Sequence, residues 1–272
     1  MSILEKFSLV GKNALVTGGA GLLGKEFCRT LAEAGATVYL ADLKEELVER
    51  ATLDLQNLPG KVIGMQMDVT DPASIEQTTG YIAAQSGSLD VLVNSAALDP
   101  KFDPDHPQFY DNAFENYPLD LWQAGLSVNL TGTFLVSQAA ARFMVKQNSG
   151  SIINLCSTYG LVGPDQRVYE GTGKLKTYKP VFYSVTKAGI MGFTRYLAAY
   201  YAGTGIRVNA LSPGGVENGH DEEFVKNYSS RAILGRMAHR DEMSGALLFL
   251  ASEASSYMTG GNLVVDGGWT AW

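Results

Sequence analysis

The sequence has few of the residues that build metal centres and disulfide frameworks. Its 272 residues include only two cysteines and three histidines. Cys28 and Cys156 each lie in an apolar run, which predicts buried free thiols in a reducing compartment rather than a disulfide. His106, His220 and His239 are scattered without ligand-like spacing, so we expect no metal site.

The sequence also lacks an excess of positive charge, and it lacks long apolar runs. The formal charge of −7 argues against nucleic acid or anionic lipid as a main partner. No stretch of about 18 apolar residues is present to span a bilayer, and the start, MSILEKFSLVGKN, lacks the apolar core of a signal peptide. The sequence therefore predicts a cytoplasmic protein with no membrane and no nucleic-acid partner.

The chain does contain an alternation of short β-branched runs and longer segments of helical period. The runs are too apolar for half-exposed strands and predict buried ones at 13–17, 36–41, 61–67, 89–95, 151–156, 206–212 and 262–266. Helical patterns lie near 22–34, 44–56, 72–85, 119–147, 182–202 and 241–252. This order predicts one α/β domain over residues 1–272, a doubly wound parallel sheet of about seven strands with helices on both faces. Two unusually long loops, 97–118 and 158–181, are inserted in it.

A glycine-rich turn follows the first predicted strand. Gly18, Gly21 and Gly24 lead into a helix, where free N–H groups and the helix dipole favour the phosphates of a dinucleotide. A shifted pattern from Gly19 to Glu26 approaches a P-loop, but Glu26 stands where a P-loop needs a magnesium-binding hydroxyl. A tight turn without a ligand is the alternative that the glycines alone leave open.

An acidic residue ends the second predicted strand. Asp42 lies 18 residues after Gly24, where a carboxylate can accept hydrogen bonds from the adenosine ribose and repel a 2′-phosphate. No arginine adjoins it or the glycine turn, so the sequence favours NAD over NADP. A competing interpretation is that DLKE, residues 42–45, is a capping box in which Asp42 begins a helix.

Polar residues fall where further predicted strands end, around the crevice in which doubly wound sheets bind ligands. They include the stretches MDVTD, NSAA, INLCSTYG and NALSPGG, with SVNLTGTF in a helix and YSVTK opening the next one. Tyr183 and Lys187 are one helical turn apart on one face. Chance produces about 0.6 such spacings in this composition, so the pair is informative only with its neighbours.

Together these motifs resemble the short-chain dehydrogenase/reductase family, from Gly11 to VVDGGW near the C-terminus. The resemblance implies a Rossmann-like fold and an oxidoreductase that interconverts a secondary alcohol and a ketone. Tyr183 would be the general acid/base, and Lys187 would bind the nicotinamide ribose and lower the tyrosine pKa. Ser157 would hydrogen-bond the reacting oxygen, and Asn129 would hold water for a proton relay to Lys187.

The resemblance also implies a cofactor-binding set, in which Asp68 and Val69 flank the adenine and Asn94 and the backbone of Ala96 line the cofactor. The whole set is Gly18, Gly21, Leu22, Leu23, Gly24, Asp42, Leu43, Asp68, Val69, Asn94, Ala96, Tyr183, Lys187, Pro213, Gly214 and Val216. Taken one at a time, three of these residues could instead have purely structural roles: Asn129 as a helix-kink residue, Asn94 as a buried backbone partner and Ser157 as a strand cap.

The chain departs from the family pattern in several places. Leu22 stands where compact members usually carry a middle glycine, and Asn218 replaces a threonine that contacts the carboxamide. Ser157 and Tyr183 are 26 residues apart, about twice the usual gap, because residues 163–179 are extra. These extra residues enlarge the loop that leads to the catalytic helix.

The two long loops predict a polar substrate at the catalytic edge. Residues 98–118 carry five carboxylates, one lysine and five aromatic side chains. The second loop carries the cations Arg167, Lys174, Lys176 and Lys179. We expect a sugar, polyol or sugar acid that meets Ser157 and Tyr183 and binds an anionic group to Arg167. The alternative is that the loops pair with each other as a solvated lid.

The sequence also predicts an oligomeric state and leaves two alternative functions open. The family is usually tetrameric through two long helices, and RYLAAYYAG offers an apolar, aromatic face, so a homotetramer or homodimer is expected. An NADPH-dependent carbonyl or 3-ketoacyl reductase is the alternative function. A non-catalytic NAD-sensing protein is more remote, because a sensor has no use for a proton relay.

Overall fold

The computed structural model of the chain describes residues 2–99, 113–169 and 178–272. Seven parallel strands form one sheet in the order β3-β2-β1-β4-β5-β6-β7. This confirms the predicted doubly wound sheet. The strands are β1 Asn13–Thr17, β2 Thr37–Asp42, β3 Lys61–Gln66, β4 Val91–Asn94, β5 Gly150–Leu155, β6 Ile206–Pro213 and β7 Asn262–Val265.

Eight α-helices surround the sheet within the described residues. They are α1 Leu22–Glu33, α2 Glu45–Asp54, α3 Pro72–Ser86, α4 Leu119–Leu126, α5 Thr133–Gln147, α6 Val181–Tyr200, α7 Glu222–Ser229 and α8 Ser244–Ala251. Helix α7 has no counterpart among the predicted helices. The predicted helix at 241–252 begins as a 3-10 turn, Arg240–Met243, before α8.

The side chains of alternate strand residues point to opposite faces of the sheet and pack into two apolar cores, one on each face. Val16 and Leu40 pack with residues of α1, α2 and α8. Leu15, Tyr39 and Leu92 point to the other face and pack with α3, α5 and α6. Because strands buried on both faces read as nearly continuous apolar runs, the sequence pattern located them well.

The predicted helix at 119–147 is interrupted by a π-helix, Ser127–Gly132, between α4 and α5. A Cβ at Gly132 would lie 2.8 Å from Val69 Cγ2, so glycine allows close packing here. Single π turns of this kind inside helices occur frequently at functional sites. This one contains Asn129.

The long loops contain short 3-10 helices in their described parts. These are Phe114–Asn116 in the first loop and Thr158–Gly160 and Gln166–Tyr169 in the second. Residues 100–112 and 170–177, with the predicted cations Lys174 and Lys176, lie outside the described residues. Of the helices that the structure describes, none combines the length and apolar character needed to cross a bilayer.

Candidate active site

A cleft of about 650 Å³ opens at the carboxyl ends of the strands. It runs from the glycine turn after β1 to the start of α6 and to α7, and Ser157 lies in it. Fifteen of the sixteen predicted cofactor residues line it: Gly18, Gly21, Leu22, Leu23, Gly24, Asp42, Leu43, Asp68, Val69, Ala96, Tyr183, Lys187, Pro213, Gly214 and Val216. Their roles toward a cofactor stay predictions, but one surface brings them together.

The glycine turn requires its glycines. Gly18 has φ +63°, and a Cβ there would lie 2.7 Å from Ala96 Cα. A Cβ at Gly24 would overlap the Gly18 carbonyl. Gly21 then begins α1 as its N-cap, so the first N–H groups of the helix face the cleft without intrahelical acceptors. The turn is a cradle whose shape and dipole suit a diphosphate.

Asp42 ties the end of β2 to this turn. Its Oδ2 accepts a hydrogen bond from Ala20 N at 3.0 Å, and its Oδ1 accepts one from Leu43 N at 2.8 Å. The capping-box interpretation is wrong, because α2 begins after Lys44, whose side chain makes no cap, and Asp42 faces the turn instead. The carboxylate keeps acceptor capacity toward the cleft, as ribose hydroxyls require.

Of two residues predicted to contact the cofactor, Asp68 lines the cleft and Asn94 does not. Asp68 lies in the cleft, and its Oδ1 accepts hydrogen bonds from the backbone N and hydroxyl of Thr70. Asn94 is buried beneath the cleft and does not line it. Its amide donates to Ser137 Oγ at 2.9 Å and to Asn154 Oδ1 at 2.8 Å. In this structure Asn94 joins β4 to its neighbours, and cofactor contact stays a prediction.

Tyr183, Lys187 and Ser157 meet at the centre of the cleft. Tyr183 and Lys187 lie in the first turns of α6, and Ser157 follows β5, where its Oγ also accepts from Tyr159 N. The Ser157 hydroxyl is close enough to the Tyr183 side chain to lower the pKa of Tyr183. The Lys187 ammonium lies 5.7 Å from the centroid of the Tyr183 ring and donates to Leu155 O at 2.7 Å.

Burial dominates the acid–base properties of this group. It raises the pKa of Tyr183, and the negative charge of Asp99 raises it further, while the hydrogen bond from Ser157 opposes them. Burial also lowers the pKa of Lys187 to about 8. In this structure desolvation dominates the pKa of Tyr183, and a lowering of that pKa by Lys187 stays a prediction.

Asn129 does not line the cleft but supports its wall. Its Oδ1 accepts from Leu98 N at 2.6 Å, and its Nδ2 donates to Leu98 O at 3.1 Å and to Thr186 Oγ1 at 3.3 Å. It thereby connects the segment after β4 to α6, next to Lys187. The kink interpretation agrees with its position in the π-helix, and the water-relay role stays a prediction.

An aromatic wall closes the far side of the cleft, and the sequence interpretation missed it. Tyr228 on α7 stacks on Trp269 with ring centroids 4.2 Å apart, and Tyr159 meets Trp269 edge to face at 6.2 Å. Tyr169 packs on Phe224 at 5.4 Å. We call Tyr159, Tyr169, Phe224 and Tyr228, which line the cleft, the aromatic wall, and the buried Trp269 packs against it. The acidic start at Asp221, which caps α7, was a readable signal for that helix.

Of the loop cations that the structure describes, Lys179, and not Arg167, lies against Tyr183 and lines the cleft. Lys179 Nζ lies 4.0 Å from the Tyr183 ring centroid and pairs with Asp99 Oδ1 at 2.6 Å, which joins the two long loops. Arg167 is outside the cleft lining, and its Nε and Nη2 donate to Asp165 at 2.7 and 2.8 Å. Substrate binding by Arg167 stays a prediction. The lid interpretation fits the Asp99–Lys179 pair.

Among the described residues, no group of three or more histidine, cysteine, aspartate or glutamate side chains is placed to hold an ion. Cys28 and Cys156 are both buried free thiols. The cleft is lined by hydroxyls, by the ammonium groups of Lys179 and Lys187, by an imidazole, and by the carboxylates of Asp42, Asp68 and Asp99.

Comparisons with known proteins agree with this geometry. A family model described as Enoyl-(Acyl carrier protein) reductase matches residues 19–270. A 3-oxoacyl-acyl-carrier-protein reductase of Thermotoga maritima is 34% identical over 265 residues, which cover 96% of this chain and 98% of the relative. A D-threitol dehydrogenase of Mycolicibacterium smegmatis is 34% identical over 275 residues, covering 99% and 97%. The crystal structure of a gluconate 5-dehydrogenase from Burkholderia cenocepacia, in complex with NADP and tartrate, matches with 31% identity and a TM-score of 0.81 over 100% of both chains.

Proposed function

Because the chain belongs to the short-chain dehydrogenase/reductase family of NAD(P)-dependent enzymes that act on alcohols and ketones, we propose that it oxidises a secondary alcohol with NAD or forms that alcohol with NADH. The proposed substrate is a sugar, polyol or sugar acid. The observation that carries the proposal is the meeting of Ser157, Tyr183 and Lys187 in one cleft with the glycine turn.

The residues present fit a nicotinamide dinucleotide. The turn that only glycine can form suits the diphosphate, and Asp42 suits the adenosine ribose. Among the described residues that line the cleft, the lysine and arginine side chains are Lys179 and Lys187, and neither adjoins Asp42 in sequence. This supports NAD over NADP, because a 2′-phosphate would meet the Asp42 carboxylate. When bound, the nicotinamide accepts or donates the hydride.

The chain's own side chains handle the proton and the reacting oxygen. In the oxidative direction the Tyr183 phenolate takes the proton of the substrate hydroxyl, and in the reverse direction the phenol returns it to the ketone oxygen. Ser157 hydrogen-bonds that oxygen. The positive charge of Lys187 stabilises the phenolate when the site is filled and water is excluded.

The walls of the cleft support a polyhydroxylated substrate. The aromatic wall offers flat apolar faces for C–H surfaces, while Asp99 and Lys179 offer an acceptor and donors for hydroxyls. Relatives that include a D-threitol dehydrogenase and a gluconate 5-dehydrogenase are consistent with this class. The alternative of an NADPH-dependent 3-ketoacyl reductase is favoured by the Thermotoga relative and by the NADP in the Burkholderia structure.

The deciding experiment is a substrate panel combined with Tyr183→Phe. Polyols, uronates, phosphorylated sugars, 3-ketoacyl thioesters and hydroxysteroids are assayed for NAD reduction or NADH oxidation. Tyr183→Phe should lose turnover and keep NADH affinity, because it removes the proton donor and little packing. If Tyr183→Phe kept a tenth or more of the wild-type kcat, Tyr183 would be excluded as the acid/base. NADH binding without turnover on any substrate would favour the NAD-sensing alternative.

We also propose a homotetramer or homodimer located in the cytoplasm. Exposed aromatic side chains on α5 and α6, Phe134, Tyr196 and Tyr200, support a contact between copies. The two buried free thiols and the formal charge of −7 support a reducing compartment without a nucleic-acid partner.

A further inference from the structure

We propose that Asp99 and Lys179 form a diol clamp, which binds a second hydroxyl on the carbon next to the reacting alcohol. The enzyme would then select vicinal diols, and α-hydroxy ketones in the reverse direction, over alcohols that lack the neighbouring hydroxyl. The inference rests on the proposed function and names a narrower substrate class for the same site.

The position of Lys179 places a bound group beside the reacting centre. Its ammonium lies over the ring of Tyr183, 4.0 Å from the centroid, and its side chain is only 14% exposed. The hydroxyl of the same ring exchanges the substrate proton in the proposed function. An oxygen held by Lys179 is therefore close to the reacting oxygen, as the two oxygens of a vicinal diol are.

Both members of the pair are held in place from outside the clamp. The backbone N of Lys179 donates to Gln166 Oε1 at 2.9 Å, just before α6 begins. On the other side, the two hydrogen bonds of Asn129 fix the backbone of Leu98, which directly precedes Asp99. A preorganised pair loses little conformational freedom when a substrate binds.

The field of Asp99 reaches the groups that surround the reacting oxygen. Its negative charge raises the pKa of Tyr159, Tyr169 and Tyr183, and it also raises the pKa of Lys187 against the effect of burial. Asp99 also lines the cleft, and its side chain is 44% exposed, so a substrate can reach it.

The opposite charges favour a neutral hydroxyl over an anion. A hydroxyl can donate to the Asp99 carboxylate and accept from the Lys179 ammonium at once, so both charges gain a partner. A substrate carboxylate placed between them would be attracted by Lys179 and repelled by Asp99. Among the described residues, Lys179 Nζ donates a hydrogen bond to Asp99 and to no other side chain, which leaves further N–H groups for the substrate.

The test compares alcohols that differ by one group. We would measure kcat/KM with NAD for 2,3-butanediol, 1,3-butanediol, 2-butanol and 2-hydroxybutyrate. Wild type should prefer 2,3-butanediol to 2-butanol and to 1,3-butanediol by about ten- to a hundredfold, the effect of a hydrogen bond to a charged group. Lys179→Met and Asp99→Ala should bring the ratio close to one, while Lys179→Arg and Asp99→Asn should retain part of it.

The ratio of kcat/KM for 2,3-butanediol to kcat/KM for 2-butanol distinguishes loss of the clamp from a general loss of activity. A substitution that impairs the whole active site lowers both values, and the effect cancels in the ratio. Lys12→Met is the matched control: Lys12 pairs with Asp90 at 3.1 Å, at the amino ends of β1 and β4, away from the cleft, so the ratio should not change. The milder Lys179→Arg and Asp99→Asn variants decide the question if the stronger ones do not fold.

Three outcomes would overturn the clamp. An unchanged ratio in the Lys179 and Asp99 variants, with both alcohols still oxidised, leaves the proposed function standing and the clamp wrong. A preference for 2-hydroxybutyrate that Lys179→Met abolishes would mean that the pair binds an anion. No NAD-dependent turnover of any alcohol or ketone in the full panel would overturn the proposed function together with the clamp.

Discussion

Asp42 is the residue on which cofactor choice depends. It accepts hydrogen bonds from Ala20 N and Leu43 N, and it lines the cleft with acceptor capacity left for a ligand. Asp42→Ala should narrow the preference for NADH over NADPH, because it removes the charge that repels a 2′-phosphate. NADH affinity should fall as well, since the glycine turn loses an anchor. Dissociation constants of both cofactors measure this.

The control for cofactor choice is Asp54→Ala. Asp54 pairs with Lys25 on the protein surface, outside the cleft, so its removal should leave the ratio of the two dissociation constants unchanged. Tighter binding of NADPH than NADH by the wild-type protein would overturn the NAD assignment.

Lys187 makes the cofactor-free protein sensitive to pH. Its pKa falls from 10.5 to about 8 on burial, so below pH 8 the folded state holds a charged ammonium that the unfolded state solvates better. Between pH 8 and 10.5 the unfolded chain binds more protons, and stability from this group rises with pH. At about 1.4 kcal/mol per pKa unit, the cost at pH 7 is about 3 kcal/mol.

Lys187→Met should therefore abolish turnover and weaken cofactor binding, yet stabilise the cofactor-free protein at pH 7. The gain should approach about 3 kcal/mol, less the loss of the hydrogen bond to Leu155 O, and should shrink by pH 10. Urea unfolding at the two pH values measures it. Lys12→Met, at a lysine whose side chain is 42% exposed, should show no such gain. An equal loss of stability at both pH values would contradict the argument.

At the scale of elements, the π-helix and Asn129 fix the segment that carries Asp99. Asn129→Ala removes three hydrogen bonds, two to Leu98 and one to Thr186, in a buried place. We expect a loss of about 2–4 kcal/mol in the free energy of unfolding. The preference for diols should also weaken, because Leu98 is no longer held. Thr186→Val should have a smaller effect, since it leaves both bonds to Leu98 in place.

The strands were predictable to within about two residues because burial on both faces gives unbroken apolar runs. Helix α7 was not predicted, since its eight residues show a short pattern between glycine-containing loops. The π-helix could not be predicted either. Within it Gly132 packs closely on Val69, and a contact between residues so far apart in the chain leaves no local sequence pattern.

The site residues likewise fall into two groups: those that belong to local sequence motifs and those that only the tertiary structure brings together. Gly18, Asp42 and Tyr183 were predicted because each belongs to a local motif at a strand or helix end. Asp99 and Lys179 lie 80 residues apart, and no local pattern shows that they meet. Likewise the stacking of Trp269 on Tyr228 follows only from the tertiary arrangement.

At the scale of the whole molecule, the sheet separates a face that carries α1, α2 and α8 from one that carries α3, α5 and α6. Only the second face presents the predicted assembly surface. There Tyr196 and Tyr200 are 65% and 68% exposed and stack on each other, and Phe134 is 45% exposed against Phe193. Aromatic side chains of this kind are enriched at interfaces, because they bury a large area at a small entropy cost.

The double variant Tyr196→Glu, Tyr200→Glu should therefore dissociate the homotetramer or homodimer into smaller species, because charges in the centre of an interface would be desolvated without partners. Analytical ultracentrifugation measures the mass, and circular dichroism confirms that the subunits stay folded. Leu53→Glu on α2 is the control, since Leu53 is 64% exposed on the opposite side of the sheet and should not change the mass. A wild-type protein that sediments as a monomer would refute the assembly proposal.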